Sequence, residues 1–493
     1  MKNLPSRFLG TYSLPDGKSV VGELRLKGSS TLLKLHSKEF LGGVEAASCV
    51  NGTTFTGERL TLIDCNIVTS GRQTNFTDAR SWHHAEVFPH YVAIGQFHLN
   101  PNQTQIREIH FTTSDLSTIF YDFDAFGHMI DAKPIIDLVL QERRQVRPVE
   151  AGEFPEVCYF TGKDCVAAVS TAIGKVCVHH RPRYSIGGPT GVYIKNRIVV
   201  SIEPDHPVTF YEAVRCMYDV TCFLSVAAGR AQGVDHIHVT TTEAAGEIPQ
   251  SLTVHPSYRW KAKDKIEQHK PHFGDVPLDP IRHRAEFDAV LSNWISRHAG
   301  WRVARFRYLG CMRKANKYDT ERLVAAANMF DILPADAVPL SAELPEDLAT
   351  TRDTCAMMFR EHPPGIDRDS ALSALGRLGK PSLPKKVAHR VAIVEARLGG
   401  RFPDLQFVAG VAVKCRNFFV HGSAGDIEYA NVEPLVPFLT DALEFIFAAS
   451  DFIDAGWDAQ RWDADAHGWG HSFARFRSEY GMALAELRRA TAT

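Results

Sequence analysis

Near its C-terminal end the chain reads KCRNFFVHGS, Lys414 to Ser423, and three of these side chains can act together on a phosphodiester. Arg416 carries a planar cationic fork suited to phosphate oxygens, His421 can take or give a proton near neutral pH, and Asn417 adds an amide beside them. On a helix, Asn417 and His421 lie four apart on one face, and the long Arg416 side chain, about 100° around, reaches the same anion. For RNA this set suffices without metal or cofactor. The imidazole removes the proton of a 2′-hydroxyl or gives one to the leaving 5′-oxygen, while the guanidinium stabilises charge developing on the phosphate. The expected product ends in a 2′,3′-cyclic phosphate.

Spacing alone does not single out this pair. Arg230 with His236 and Arg461 with His467 stand six apart, as chance placement among 22 histidines allows. RAQGVDH runs from a helix end through Gly233 toward a strand, and RWDADAH lacks apolar periodicity, so both are expected in surface loops. Arg416 and His421 instead fall in the last turns of a helix expected to start after Pro403, with Asp404 as N-cap, and to stop at Gly422. A helix C-terminus favours cationic side chains, which suits an imidazole placed there for acid–base work. A helical wheel puts Phe407, Val408, Val411, Ala412, Cys415, Phe418 and Phe419 on one arc, a core stripe. The other arc carries Ala409, Gly410, Val413, Lys414, Arg416, Asn417, Val420 and His421. Its small residues imply that a second element covers this face, leaving Arg416, Asn417 and His421 at the rim of a contact.

The elements around this helix fall into two halves. From residue 8 to about 250, alternating segments such as GTYSLPDGKSVVGELRLKG, STLLKLHS, RLTLIDCNIVTSG and GVYIKNRIVVSIEP imply short antiparallel strands, interrupted by one helix, FYEAVRCMYDVTCFLSVAAG, ended by Gly229. After the charged stretch RWKAKDKIEQHKPHFGDVPLDP the strand pattern gives way to amphipathic helices, among them RHRAEFDAVLSNWISRHA, TERLVAAANMFDIL and PLVPFLTDALEFIFAASDFI, joined by short loops as in an antiparallel bundle. The expected fold class is α+β multidomain, with a β-rich region at 1–275 and an all-α bundle at 281–493.

Composition narrows the setting. With 55 basic and 57 acidic side chains and a net charge of −2, no global field draws the chain to nucleic acid or membrane, so any basic site is local. No apolar leader is seen at the N-terminus, and the most apolar late stretch is interrupted by Glu444 and Asp451. The ten cysteines are scattered without CxxC pairs. A cytoplasmic protein with reduced thiols and no membrane contact is expected.

RNFFVHG, Arg416 to Gly422, on a long helix of an all-α region, resembles the Rx4-6H signature of HEPN domains, where a polar residue such as Asn417 follows the arginine. Across nearly its full length the chain resembles the ApeA group of anti-phage HEPN proteins: FLGTYSLPDGKSVVGELRLKGSSTLLKL, Phe8 to Leu35, is similar to the start of the ApeA N-terminal domain, and the helices from about Arg282 to Arg489 to its HEPN half. The resemblance implies a metal-independent endoribonuclease active as a symmetric homodimer, with two motif copies forming one composite site, and an abortive-infection role. It also implies catalytic roles for Arg416, Asn417 and His421, and a sensor or regulatory N-terminal region open to a phage-derived trigger. Relatives often carry an acidic residue in the middle of the second helix. TERLVAAANMFDIL has Asn328 there, with Glu321 and Asp331 at its ends, and none of these is given a role.

Other constellations keep rival explanations open. IHFTTSD from Ile109 and IHVTTTE from Ile237 each place a histidine and a threonine two apart on one side of a strand, the H-x-T pattern of two-histidine phosphoesterases, with His110 and His238 as acid and base; a polar sheet stripe explains them as well. WHHAEVFPH (His83, His84, His90) and CVHH (Cys177, His179, His180) lack zinc-site spacing, and RYSIGGPTGVY lacks the lysine of a phosphate loop. RHAGWRVARFRYLGCMRKANK, Arg297 to Lys317, suits either an RNA-tracking surface or a solvated helix face, with KPSLPKK a weaker case of the same kind. A bundle that only binds nucleic acid or a partner is the remaining alternative.

Overall fold

The computed structural model describes residues 6–41, 48–75, 80–185, 187–189, 191–245, 248–258, 260, 269–340, 344–422, 428–465 and 468–492. His467 and residues 261–268 of the charged stretch lie outside these. The chain forms two compact units, one of Met1–Ala228, Gln232–Lys263 and Leu278–Ile295, the other of Gly229–Ala231, Asp264–Pro277 and Ser296–Thr493. No helix among the described residues is long and apolar enough to cross a membrane.

The first unit begins with strands β1 (Arg7–Ser13), β2 (Ser19–Arg25), β3 (Leu32–Ser37), β4 (Cys49–Thr54), β5 (Arg59–Asn75) and β6 (Arg80–Gly95). Strict alternation puts Phe8, Gly10 and Tyr12 of β1 and Val20, Gly22 and Leu24 of β2 on the inner side. The spatial order is β6-β3-β2-β1-β4-β5, and β5 pairs back onto β6, closing a six-stranded antiparallel barrel. Its core is Phe8, Tyr12, Leu24, Leu33, Leu35, Val50, Leu60, Leu62 and Val92 with their neighbours. Gly52 faces Tyr12 across the β1–β4 pair, and a Cβ there would sit 2.5 Å from the tyrosine ring. Only glycine lets that ring lie across the barrel.

From β6 the sheet runs on through β16 (Ile248–Pro256), β15 (Val234–Ala245), β7 (Ile106–Thr113), β14 (Ile198–Glu203), β11 (Gly174–His180) and β10 (Cys165–Thr171). Strands β8 (Phe126–Met129) and β9 (Val157–Phe160) form one separate ribbon, and β12 (Arg183–Ser185) and β13 (Tyr193–Lys195) another. Helices α1 (Leu116–Ile119) and α2 (Lys133–Arg144) follow β7, and α3 (Phe210–Ala228) lies against it. Every residue of α3 from Asp219 to Ala228 is buried, so this half of the helix is enclosed on all sides. Helix α4 (Arg284–Ser296), expected from the sequence to head the helical half, packs here: Phe287 meets Phe120 and Trp294 meets Phe223 at 5.6 and 5.5 Å between ring centres. Arg284 donates to the Val166 and Ala168 carbonyls and Ser292 to that of Ser170. Alternate carbonyls of edge strand β10 are thereby satisfied.

The second unit is a helical bundle of α5 (His298–Met312), α6 (Thr320–Asp331), α7 (Glu346–Glu361), α8 (Ile366–Leu375), α9 (Leu383–Leu398), α10 (Leu405–His421), α11 (Tyr429–Val432), α12 (Val436–Ala455), α13 (Ala459–Asp465) and α14 (Ser472–Thr491). Helix α12 is its centre, packed by α6, α9, α10 and α14. The acids that interrupt its apolar run meet buried arginines from three helices. Arg322 pairs with Glu444 at 2.7 Å, Arg305 with Asp451 at 2.8 Å, and Arg390 reaches Asp454 at 2.7 Å. Trp301 holds the guanidiniums of Arg297, Arg305 and Arg390 against its ring at 5.0 to 5.2 Å.

Candidate active site

Helix α10 lies against α6, α9 and α12, burying Val408, Val411, Ala412 and Cys415 as expected. Three expectations for this helix are corrected. Asp404 precedes it in a left-handed conformation, φ 59°, caps no backbone N–H, and pairs with Arg488. Phe407, placed in the core arc, is 38% exposed, and Phe418 and Phe419 are half-buried against Tyr429, Phe418 stacked on its ring at 4.9 Å and Phe419 edge-to-face at 4.8 Å. The small residues Ala409 and Val413 are covered by helices of the same chain, while Phe407, Gly410, Lys414, Asn417 and His421, recurring every three or four residues, form the open side. A Cβ added at Gly410 would meet nothing within 4 Å. Gly422, φ 69°, ends the helix and its N–H donates to the Phe418 carbonyl at 2.9 Å, which leaves His421 exposed at the last turn.

Arg416, Asn417 and His421 come together. The Arg416 Nη1 donates to Asn417 Oδ1 at 3.0 Å and lies 3.4 Å from His421 Nε2. A guanidinium can only donate, so this contact selects the imidazole form with Nε2 as acceptor, a form able to take a proton. The other side of the fork is held from α6: Nε and Nη2 both donate to Asn328 Oδ1, at 3.1 and 2.9 Å, and Nη2 is 3.7 Å from an Asp331 carboxylate oxygen. Lys386 of α9 donates to the Asp331 carbonyl at 2.8 Å. Asn328 and Asp331, left without a role by the sequence, thus fix the guanidinium plane and point Nη1 toward the open face. Asn328, a lone amide in an otherwise apolar helix middle, was the available signal. Cys415 beside them is no competing nucleophile, since burial pushes its thiol up to about 11.

Residues 7–294 match the ApeA N-terminal domain 1 and residues 324–461 match the Apea-like HEPN domain. The first match spans more than half of the chain. The chain belongs to the ApeA family. Its second unit is therefore a HEPN domain, and ApeA membership places it among nuclease-type anti-phage proteins. No curated protein and no solved structure matches it. The ApeA N-terminal match ends inside α4, the helix that packs in the first unit, and the HEPN match contains α10 with Arg416, Asn417 and His421.

The remaining candidates of this ApeA chain are dispersed or structural. His110 and His238 do face each other on β7 and β15, in direct register. His110 Nε2 lies 3.4 Å from Thr240 Oγ1 and 3.2 Å from Glu108, and His238 Nδ1 lies 3.2 Å from Thr253 Oγ1, so each ring is tied to the neighbouring strand. These are the contacts of a satisfied polar stripe. His83 and His84 point to opposite sides of β6, as do His179 and His180 of β11. Among the described residues no group of three or more His, Cys, Asp or Glu side chains is arranged to hold a metal. The basic aromatic stretch is neither a tracking surface nor a solvated face throughout: Arg305 is 1% exposed and Arg297 joins it on Asp451 at 2.7 Å.

Proposed function

We propose that this protein is a metal-independent endoribonuclease of anti-phage defence, working in the cytoplasm as a homodimer whose two HEPN domains bring two copies of Arg416, Asn417 and His421 to one site. The observation that carries this reading is the convergence of the three side chains on the uncovered side of α10. In this reading His421 Nε2 takes the proton of the attacking 2′-hydroxyl, and the second copy's imidazole, protonated, gives one to the leaving 5′-oxygen. Arg416, held by Asn328 and Asn417, stabilises the charge gathering on the phosphate oxygens. The open stripe with Gly410 at its middle lets a second α10 approach closely. RNA damage of this kind would halt host growth and with it phage replication.

The test is RNA cleavage in EDTA by the wild type and by His421→Ala, with end-group analysis and light scattering. Cleavage in EDTA leaving 2′,3′-cyclic phosphates, a drop of about 10²-fold to 10⁴-fold in His421→Ala, and a dimer mass are expected. Cleavage that needs a divalent metal, or unchanged activity in the variant, overturns the reading.

A further inference from the structure

The first unit contains a cavity of about 210 Å³ whose wall has no acidic residue. Its charged lining is Arg183, Lys195, Arg197 and His236, and hydroxyls come from Thr113 and Ser117. Arg183 and Lys195 sit directly opposite each other on the β12–β13 ribbon, an arrangement that like charges disfavour. Neither forms an ion pair with a carboxylate among the described residues. Arg197, two residues beyond Lys195, has its guanidinium held below its ordinary range first by burial and then by the nearby Arg183. The hydroxyl oxygen of Thr113 is buried without a hydrogen-bond partner.

The fold places His236 here deliberately in the geometric sense. Strand β15 slips register against β7 between Asp235 and His238, and His236 takes a left-handed φ of 51°. A bulge of this kind re-aims a side chain that alternation would have sent elsewhere. Two facing cations without an ion-pair partner among the described residues, Arg183 and Lys195, lined up with a further guanidinium, an imidazole and hydroxyl groups, match an anionic ligand with several acceptor oxygens, as a phosphoryl group has. A strand of RNA would instead call for a groove that follows successive phosphates, with aromatic platforms for its bases.

We propose that this cavity binds the phosphoryl group of a small phosphate ligand, either inorganic phosphate or a nucleoside monophosphate, between Arg183, Lys195 and Arg197. The site lies wholly within the first unit and does not depend on the nuclease reading, so the two stand or fall separately.

The full-length protein is titrated calorimetrically in a phosphate-free buffer with inorganic phosphate and, separately, with adenosine monophosphate. The same titrations use Lys195→Gln and, as a control outside the cavity, Lys27→Gln. Saturable binding of one phosphoryl group per chain is expected, weakened at least tenfold in Lys195→Gln and unchanged in Lys27→Gln. Tighter binding of the monophosphate assigns the ligand to the ester, and equal binding to free phosphate. In the ligand-free state Lys195→Gln, relieved of its facing charge, melts at or above the wild-type temperature, which also reports that it is folded. Failure of both anions to bind, or wild-type affinity in Lys195→Gln, overturns the proposal.

Discussion

The Oδ1 atom of Asn328 accepts two hydrogen bonds from Arg416, at 3.1 and 2.9 Å, across 88 residues of sequence. In the proposed ribonuclease this tie makes Asn328 a positioning residue, since it touches the guanidinium that would meet the phosphate. Asn328→Ala is expected to lower kcat by about 10²-fold with little change in KM, because a freed fork must be oriented anew in each turnover. Asn328→Asp, which keeps the acceptor oxygen, should retain most activity. Steady-state kinetics on one RNA substrate separates the two, and a KM effect without a kcat effect would contradict positioning.

Arg416→Lys keeps the charge and loses the plane. A single ammonium nitrogen cannot occupy both the positions from which Nε and Nη2 bond Asn328 and the position from which Nη1 bonds Asn417 beside His421. Activity is expected to fall by about 10²-fold to 10³-fold while the circular dichroism spectrum is unchanged. Cleavage at the wild-type rate would show that charge alone matters there.

Asp451 anchors Arg297 and Arg305 inside the bundle, and the largest effects of replacing it should be on stability. Asp451→Ala leaves Arg305 buried without its counter-charge, a loss of about 3–5 kcal/mol in urea unfolding. Burial pushes the Asp451 carboxyl up, but the Arg305 charge and hydrogen bonds, followed by Arg297, prevail and hold it below the usual carboxylate range. The folded state therefore binds fewer protons than the unfolded state in acid, so this contribution is present above the usual carboxylate range and is lost as pH falls through the folded value. The pH dependence of unfolding between the wild type and Asp451→Ala should differ with that sign.

In the first unit, burial, then the neighbouring His110, Arg197 and His236, push the His238 imidazole down to about 4. An unfolded histidine takes its proton near 6.5. Between those values the unfolded chain binds more protons, so stability falls as pH is lowered from about 6.5 to about 4. Thermal melts of the wild type should show this slope, and His238→Gln should flatten it. An equal slope in both would mean that His238 is protonated in the folded protein.

The grouping of Arg416, Asn417 and His421 was legible because it needs only helical spacing and a glycine stop. Its support was not. Asn328 and Asp331 lie on another helix, and nothing local tells which of two facing helices an amide will reach. The basic aromatic stretch misled for the same reason: Arg305 finds Asp451 146 residues later, and an arginine headed for a buried acid looks in sequence like one headed for solvent. The strand alternation of Phe8 to Leu24 disclosed an inward face, whereas closure of the barrel depends on β5 meeting β6 along nearly its whole length. Placement of α4 on the sheet was hidden because its apolar period fits a bundle equally well.

The barrel consumes one end of the long sheet and the side chains of α4 occupy the other, at β10. At these two ends, backbone groups that would otherwise template a neighbouring copy are answered within the chain. Strand-by-strand accretion of further copies is thereby discouraged at both ends of the long sheet.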